Sequence, residues 1–378
     1  MKNYLLLFIF FFTSTLFVNS QQPFTNQAFQ SKYHMLDSSE LYSPPVKSKS
    51  FTPTSPPLVP VRSIAEFEPT EAVLVAYPGQ FGIPISLIAE MSQDCKVITI
   101  VESSAQQTTV TSQYNSNGVN MSNCSFYIAP LDSYWIRDYG PWFIMINNNE
   151  VAIVDFPYNR PGRPNDDEVP VEMASYLNVN LYGMDIMHTG GNYMSDGMGI
   201  AASTDLVTDE NTSLTVPQIN TLVNDFLGVS NYYITTDPLA DYIKHIDCWG
   251  KFLDVDKVLI TSVPVTDIRY ADYEAMATFW ENEISSYGDN YHVFRVYEPD
   301  GQPYTNSYIL NKKVFVPYVT GTGSAQNSAA LAVYQQAMPG YEIFGISSSS
   351  WVSTDALHCR THEVADRKML YIYHMPLL

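Results

Sequence analysis

Pro217-Gln218-Ile219-Asn220-Thr221-Leu222-Val223-Asn224-Asp225-Phe226-Leu227 reads as an amphipathic helix. After a turn, Asn231-Tyr232-Tyr233-Ile234-Thr235 reads as a short strand, and His245-Ile246-Asp247 as the polar loop beyond it. The same succession of helix, turn, strand and polar loop occurs four more times. Before it come Ser104–Tyr114, Ser125–Pro130 and Trp135-Ile136-Arg137-Asp138, then Val171–Tyr176, Asn180–Met187 and His188-Thr189-Gly190-Gly191-Asn192. After it come Tyr270–Tyr287, Tyr291–Tyr297 and Tyr304-Thr305-Asn306, then Ala325–Met338, Tyr341–Ile346 and Leu357-His358-Cys359. Further strands fall between copies, at Val151–Phe156, Val258–Val263 and Val314–Pro317. Strand starts recur about every 50 to 60 residues, the sign of a repeat architecture. A single strand-helix-strand unit cannot bury its apolar face alone; five closing into a ring share a core and aim five loops at one axis. The expected fold is therefore α/β, a ring of five small blades.

The repeats occupy residues 62–378. Ahead of them, residues 21–61 are rich in Ser and Pro, as in Pro53-Thr54-Ser55-Pro56-Pro57, and read as a linker with too little apolar surface to order itself. Residues 1–20 carry Lys2, an apolar run from Leu5 to Phe17, and small residues at Val18 and Ser20. That is the pattern of a secretory signal cleaved near Ser20. The run is shorter than the roughly 20 apolar residues a spanning helix needs. A secreted protein with no membrane segment in its mature form is expected, simply released, because the chain stops at Leu378 soon after the strand-like Lys368–His374.

The formal charge of −20 makes nucleic acid a poor partner and cationic substrates good ones. Four cysteines are too few for a disulfide scaffold. Cys95 and Cys124 each precede a strand-like run, so a bridge between them is one possibility, and Cys248 reads as a buried, inert thiol. Cys359 stands apart, among His358, Arg360, Thr361 and His362.

The loops bring a Cys, a His, two Asp and an Asn to the axis. A guanidinium ion is planar and resonance-stabilised, so it must be held and polarised before anything attacks it. Two carboxylates suit the holding, since each accepts paired N–H bonds, and Asp138 and Asp247 fit. A thiolate suits the attack, and Cys359 fits, with the substrate itself as a nearby cation. One imidazole can protonate departing ammonia and then activate water, and His245 fits. On an extended loop His245 and Asp247 point to the same side. Plainer readings exist for each residue. Asp138 could pair with Arg137 at the surface, His245 and Asp247 could cap a helix near Cys248, Cys359 could be a core thiol, and Asn306 an ordinary turn residue.

Taken together, Tyr134-Trp135-Ile136-Arg137-Asp138-Tyr139-Gly140-Pro141-Trp142-Phe143, Gly190-Gly191-Asn192, His245-Ile246-Asp247, Tyr304-Thr305-Asn306-Ser307-Tyr308 and His358-Cys359-Arg360-Thr361 resemble the motifs of the porphyromonas-type peptidylarginine deiminases, within the agmatine deiminase superfamily. The resemblance runs through residues 62–378 with the motifs in order. It implies the five-bladed α/β-propeller (pentein) of guanidino-modifying enzymes, no cofactor, and no metal in the chemistry. It also implies a covalent amidino-cysteine on Cys359, proton transfer by His245, guanidinium binding by Asp138 and Asp247, completion of the catalytic set by Asn306, and Trp135 against the substrate's aliphatic stem.

The loop Tyr158-Asn159-Arg160-Pro161-Gly162-Arg163-Pro164 resembles the one by which the family captures a C-terminal carboxylate, a task suited to Arg. Here Gly162 spaces the pair one residue wider. The alternative is two solvated Arg facing Asp166 and Asp167. The expected substrates are arginine-containing peptides or proteins, with C-terminal arginine favoured, or small guanidino compounds such as agmatine and free arginine. A non-catalytic ring used for binding has no reason to keep Cys, His and both Asp together. A cysteine protease would need an oxyanion hole rather than two guanidinium-sized carboxylates.

Overall fold

The computed structural model describes residues 51–369 apart from Asn148 and Tyr242. The signal-like residues 1–20, most of the linker and nearly all of Lys368–His374 lie outside that range. The first strand, β1 (Val61–Ser63), is followed by β2 (Thr70–Tyr77), α1 (Ile85–Asp94), β3 (Lys96–Val101), α2 (Ser104–Ser116) and β4 (Cys124–Ile128). Next come the one-turn helix α3 (Ile136–Tyr139), β5 (Trp142–Ile146), β6 (Glu150–Asp155), α4 (Val169–Leu177) and β7 (Leu181–Gly183). A third set is β8 (Met194–Ser195), β9 (Ile200–Thr204), α5 (Leu206–Glu210), α6 (Val216–Leu227) and β10 (Asn231–Thr235). The fourth is β11 (Gly250–Asp254), β12 (Lys257–Ser262), α7 (Tyr270–Asn282) and β13 (His292–Tyr297). The fifth is β14 (Tyr308–Leu310), β15 (Lys313–Tyr318), α8 (Asn327–Ala337) and β16 (Glu342–Ser347), and β17 (His362–Ala365) follows.

These strands make five sheets among the described residues, ordered β1-β5-β6-β7, β10-β9-β8, β11-β12-β13, β14-β15-β16 and β17-β2-β3-β4. They are the five expected blades of the pentein fold. Each holds a parallel pair bridged by a helix, such as β12 and β13 with Lys257 opposite His292, plus an antiparallel strand. Distant parts of the described chain share one blade: β17 lies antiparallel to β2 with His362 opposite Leu74, so β17 completes the sheet that β2 begins. That pairing brings the segment carrying Cys359 back to the N-terminal blade.

The quoted helix illustrates how each blade forms. Thr215 and Gln218 make a capping box and Pro217 occupies the first turn. Ile219, Val223, Phe226 and Leu227 recur on one buried face, each contributing about 1.5–3 kcal/mol by leaving water. Gly228 ends the helix in the left-handed conformation, where an added Cβ would also strike the Val61 carbonyl.

Several expectations need correction. The strand expected over Asn180–Met187 is only Leu181–Gly183. Beyond it the chain leaves the ladder, Met184 N–H bonding the Asp155 carbonyl, and returns as a single bridge of His188 to Tyr158. The helix expected to reach Tyr287 stops at Asn282, because a tight loop closed by the Ile284–Asn290 bridge and a Ser285 N–H bond to Asp289 follows. Cys95 and Cys124 are free thiols. The β3–β4 register sets Cys124 opposite Val97, two residues beyond Cys95, and the thiols donate to different carbonyls, Thr70 and Asn120. Among the described residues no helix is long and apolar enough to cross a membrane. The end of the linker is held in part: Thr54 exchanges hydrogen bonds with Gly183, its N–H to the carbonyl and its hydroxyl from the N–H.

Candidate active site

Five short turns deliver the polar residues, each just before a blade's antiparallel strand, and the one before β14 carries Asn306. Helix α3 ends the first loop and carries Asp138. A 3-10 turn, Gly190–Asn192, precedes β8; another, Ile246–Cys248, precedes β11, with His245 at its head and Asp247 inside it. A third, His358–Arg360, precedes β17. The turn holding His245 and Asp247 is thus helical rather than extended. They nevertheless meet at one point, because an added Cβ on Gly191 would lie 2.5 Å from His245 Nδ1, 2.7 Å from Asp138 Oδ1 and 3.3 Å from Asp247 Oδ2. Only a residue without a side chain leaves that space.

Within this cluster His245 Nδ1 is 3.5 Å from Asp138 Oδ1, and Cys359 Sγ is 3.7 Å from Asp247 Oδ2. Asn306 ties three blades together. Its Nδ2 donates to Cys359 Sγ and to the Asp247 carbonyl, both at 3.3 Å, and its Oδ1 accepts from the backbone N–H of His358 at 3.0 Å and of Cys359 at 3.4 Å. Asn192 does similar work two blades earlier, its Oδ1 accepting from Thr204 N and Ile246 N. Asp138, His245, Asn306 and Cys359 are each 0 % exposed. A charge held there is desolvated, so opposite charges attract far more strongly than in water.

The plainer readings of these residues fail on contacts. Arg137 turns from Asp138 to a buried bidentate pair with Glu363, at 3.1 and 2.6 Å, joining α3 to β17. Asn306 is a cross-blade tie, beyond an ordinary turn residue, and Cys359 sits among polar groups. Cys248 is buried as expected but not remote: its Sγ is 3.5 Å from Asp247 Oδ1, and its thiol is hydrogen-bonded to that of Cys359. Nothing in the sequence around Cys248 marks it as a neighbour of Cys359, 111 residues on; only the folding of one blade beside another reveals it.

Burial pushes the Cys359 thiol up to about 11; the Cys248 hydrogen bond opposes this, while Asp247, Asp355 and Asp138 add to it. Burial also acts to raise Asp247, but the hydrogen bond and charge of His358 outweigh it and hold the carboxyl below its ordinary value. A thiol kept protonated beside ionised carboxylates awaits a cation. A flat cation bound between Asp138 and Asp247 would offset their charge and favour the thiolate beside it.

Trp135 is buried, and the Arg163 guanidinium lies over its ring, 4.9 Å from the centroid. Trp135, expected to pack on a substrate stem, therefore also carries an arginine of this chain. Arg160 and Arg163 are both buried, so the solvated alternative does not hold. Their loop folds inward because its acids are taken by backbone: Asp167 accepts from Tyr158 N at 2.6 Å, and Asp166 from Asp132 N, Ser133 N and Ser133 Oγ. Arg160 instead faces Glu210 on α5. No group of His, Cys, Asp and Glu suited to holding a metal ion occurs among the described residues.

A family model described as Porphyromonas-type peptidyl-arginine deiminase matches residues 62–364. A Shewanella baltica relative that carries the name of an agmatine deiminase is 23% identical over 278 residues, covering 62% of this chain and 74% of its own. The solved structure of the agmatine deiminase of Enterococcus faecalis superposes with a TM-score of 0.72 at 20% identity, over 81% of this chain and 96% of that one. The agmatine deiminase of C. jejuni superposes at 0.66 and 18% identity, over 80% and 95%. At such identities the solved structures establish the fold.

Proposed function

The chain belongs to the Porphyromonas-type peptidyl-arginine deiminase family, hydrolases of guanidino groups, and on that footing we propose that it converts the C-terminal arginine of peptides to citrulline. The observation that carries the chemistry is the convergence of Cys359, His245, Asp138, Asp247 and Asn306 from four loops on one buried point. The substrate guanidinium sits between the Asp138 and Asp247 carboxylates, and its charge stabilises the Cys359 thiolate as His245 takes up the thiol proton. Sulfur bonds to the guanidinium carbon; His245, protonated, gives its proton to the departing nitrogen, and ammonia leaves an amidino-cysteine. His245 then takes a proton from water, whose oxygen bonds to the same carbon. The carbon–sulfur bond breaks to release the urea of citrulline. The balance is one guanidinium and one water in, one urea and one ammonium out.

Preference for a C-terminal arginine rests on Arg160 and Arg163. Two guanidiniums brought inside, one of them on Trp135 beside the Asp138 turn, suit a carboxylate that agmatine lacks. Citrulline release from matched peptides with arginine internal, C-terminal, or C-terminal but amidated tests this. The free C-terminal peptide should be turned over at least tenfold faster than the amidated one, and Arg163→Ala or Arg160→Ala should erase the difference while barely changing agmatine turnover. Equal rates on free and amidated peptides would sink the carboxylate clamp and favour the agmatine reading, which the names of the relatives support.

The same proposal makes the protein secreted, on the strength of residues 1–20. Protein recovered from culture medium should begin at about Gln21; an intact Met1-Lys2 terminus on active cell-associated protein would contradict it.

A further inference from the structure

His358 precedes the nucleophilic thiol by one residue, and its ring bonds the same Asp247 oxygen that the thiol faces. Its Nδ1 lies 2.6 Å from Asp247 Oδ2 and its Nε2 lies 3.1 Å from Glu66 Oε2. A carboxylate accepts hydrogen bonds and donates none, and a neutral imidazole carries a single N–H. Two ionised carboxylates, one on each nitrogen, therefore call for a proton on both. Glu66 is itself held in place. Its Oε2 also takes Lys251 Nζ in a close ion pair, and its Oε1 accepts from Ile309 N at 2.7 Å. Burial acts to raise Glu66, but Lys251 and His358 outweigh it and keep it far below the ordinary carboxylate range. Lys251, Glu66, His358 and Asp247 thus alternate in sign through a region where each is buried or nearly so.

We propose that His358, clamped between Glu66 and Asp247, is the positioning residue that keeps Asp247 ionised and aimed at the substrate cation. This rests on the reading of Asp247 as a guanidinium-binding carboxylate. Without a partner behind it, a buried carboxylate beside Asp138 would take up a proton or swing, and either would cost it the cation. The ring does not touch the substrate and acts only through Asp247. Its own backbone is fixed from the active-site side by Asn306, which accepts from His358 N. A cavity of about 70 Å³ lined by Glu66, Arg137, Asp247, Lys251, His358 and Glu363 adjoins the array and gives room for water.

The charged groups around this array bear on its pH behaviour. Arg137 on α3 donates to the His358 carbonyl and pairs with Glu363 on β17. His362, also on β17, packs beside Glu363 and is held by burial in its neutral form, lowered to about 4. Lys251 comes from β11, Asp138 from α3, and His245, Cys248 and Cys359 from their turns. His358 makes the short contact to the Asp247 carboxylate, and Cys248 Sγ lies 3.5 Å from its other oxygen.

The test is the pH profile of kcat/KM on agmatine and on the C-terminal arginine peptide, for wild type, His358→Asn and Glu66→Gln. Asn at 358 keeps an N–H donor near the place of Nδ1 but removes the charge, and Gln at 66 keeps shape while removing the counter-charge. Both should shift the acid limb of kcat/KM upward by about one pH unit, with a loss that approaches tenfold at pH below the limb and vanishes above it. The double variant should cost little more than His358→Asn alone, because both act on one carboxylate. A loss of activity with the acid limb unmoved would mean a merely structural ring and would overturn the proposal, whatever the variants' melting temperatures. The ¹⁵N resonances of the His358 imidazole give an arm independent of turnover: Nδ1 and Nε2 should both be hydrogen-bond donors in the wild type, and a ring nitrogen that accepts instead would overturn it. A wild type inactive on every guanidino substrate would instead defeat the deiminase reading, leaving that nitrogen measurement to judge the relay.

Discussion

Cys359→Ala is expected to lower kcat by roughly ten-thousandfold or more, with no measurable citrulline or carbamoylated amine, while the melting temperature stays within a few degrees. The thiol is the reacting atom in the proposed route, and no other group in the cluster can replace it. Cys248, within hydrogen-bonding reach, is pushed well above its ordinary range by its bond with Cys359 and by burial, so it offers no thiolate of its own. The side chain removed is small, so the cavity left is minor. The same chemistry predicts how wild-type Cys359 responds to iodoacetamide. Free enzyme at pH 7 lies four units below the value of about 11 that burial imposes, so only about one site in ten thousand carries a thiolate. Alkylation should accelerate about tenfold per pH unit between pH 7 and 10. A flat rate over that interval would contradict the burial argument, and an active Cys359→Ala enzyme would remove the mechanism altogether.

Asp138→Asn should be the second most damaging change, lowering kcat/KM about a thousandfold on every guanidino substrate. Asn can face the cation with its amide oxygen but cannot neutralise it, and the site excludes the water that would otherwise screen the difference. Stability should move the other way. Asp138 is wholly buried and its charge acts to raise the pKa of Asp247, so removing it relieves repulsion in the empty enzyme. The melting temperature should hold or rise, the pattern of a residue kept for function at the expense of stability. A variant with near-normal kcat/KM would remove Asp138 from the clamp, and one that melts much lower would make the carboxylate structural.

How far the site was legible depended on whether a residue acts along the chain or across it. Asp138, His245, Asp247, Asn306 and Cys359 were readable because each sits in the polar loop after its repeat's strand, and the repeat said all five loops meet. Arg160 and Arg163 were legible as a pair, but their inward burial and the seat of Arg163 on Trp135 were not. His358 and Glu66 are separated by 292 residues and meet only because β17 pairs with β2. Cys248 looked like core filling until the neighbouring blade set Cys359 against it. Errors in element length, such as α7 ending at Asn282, arose where loop hydrogen bonds cut short a pattern that locally reads as helix.

The amino-acid sequence by itself determined the architecture and the chemical kit. Helix and strand periodicity, repeated five times, is a property of neighbouring residues, and so is the choice of thiol, imidazole and carboxylates for a planar cation. Only the tertiary structure decided which groups stand behind that kit: the Lys251–Glu66–His358–Asp247 array, the Asn306 tie between blades and the space left by Gly191. The physical reason is that a buried charge is set by partners within a few ångströms, and ring closure chooses those partners from distant parts of the chain.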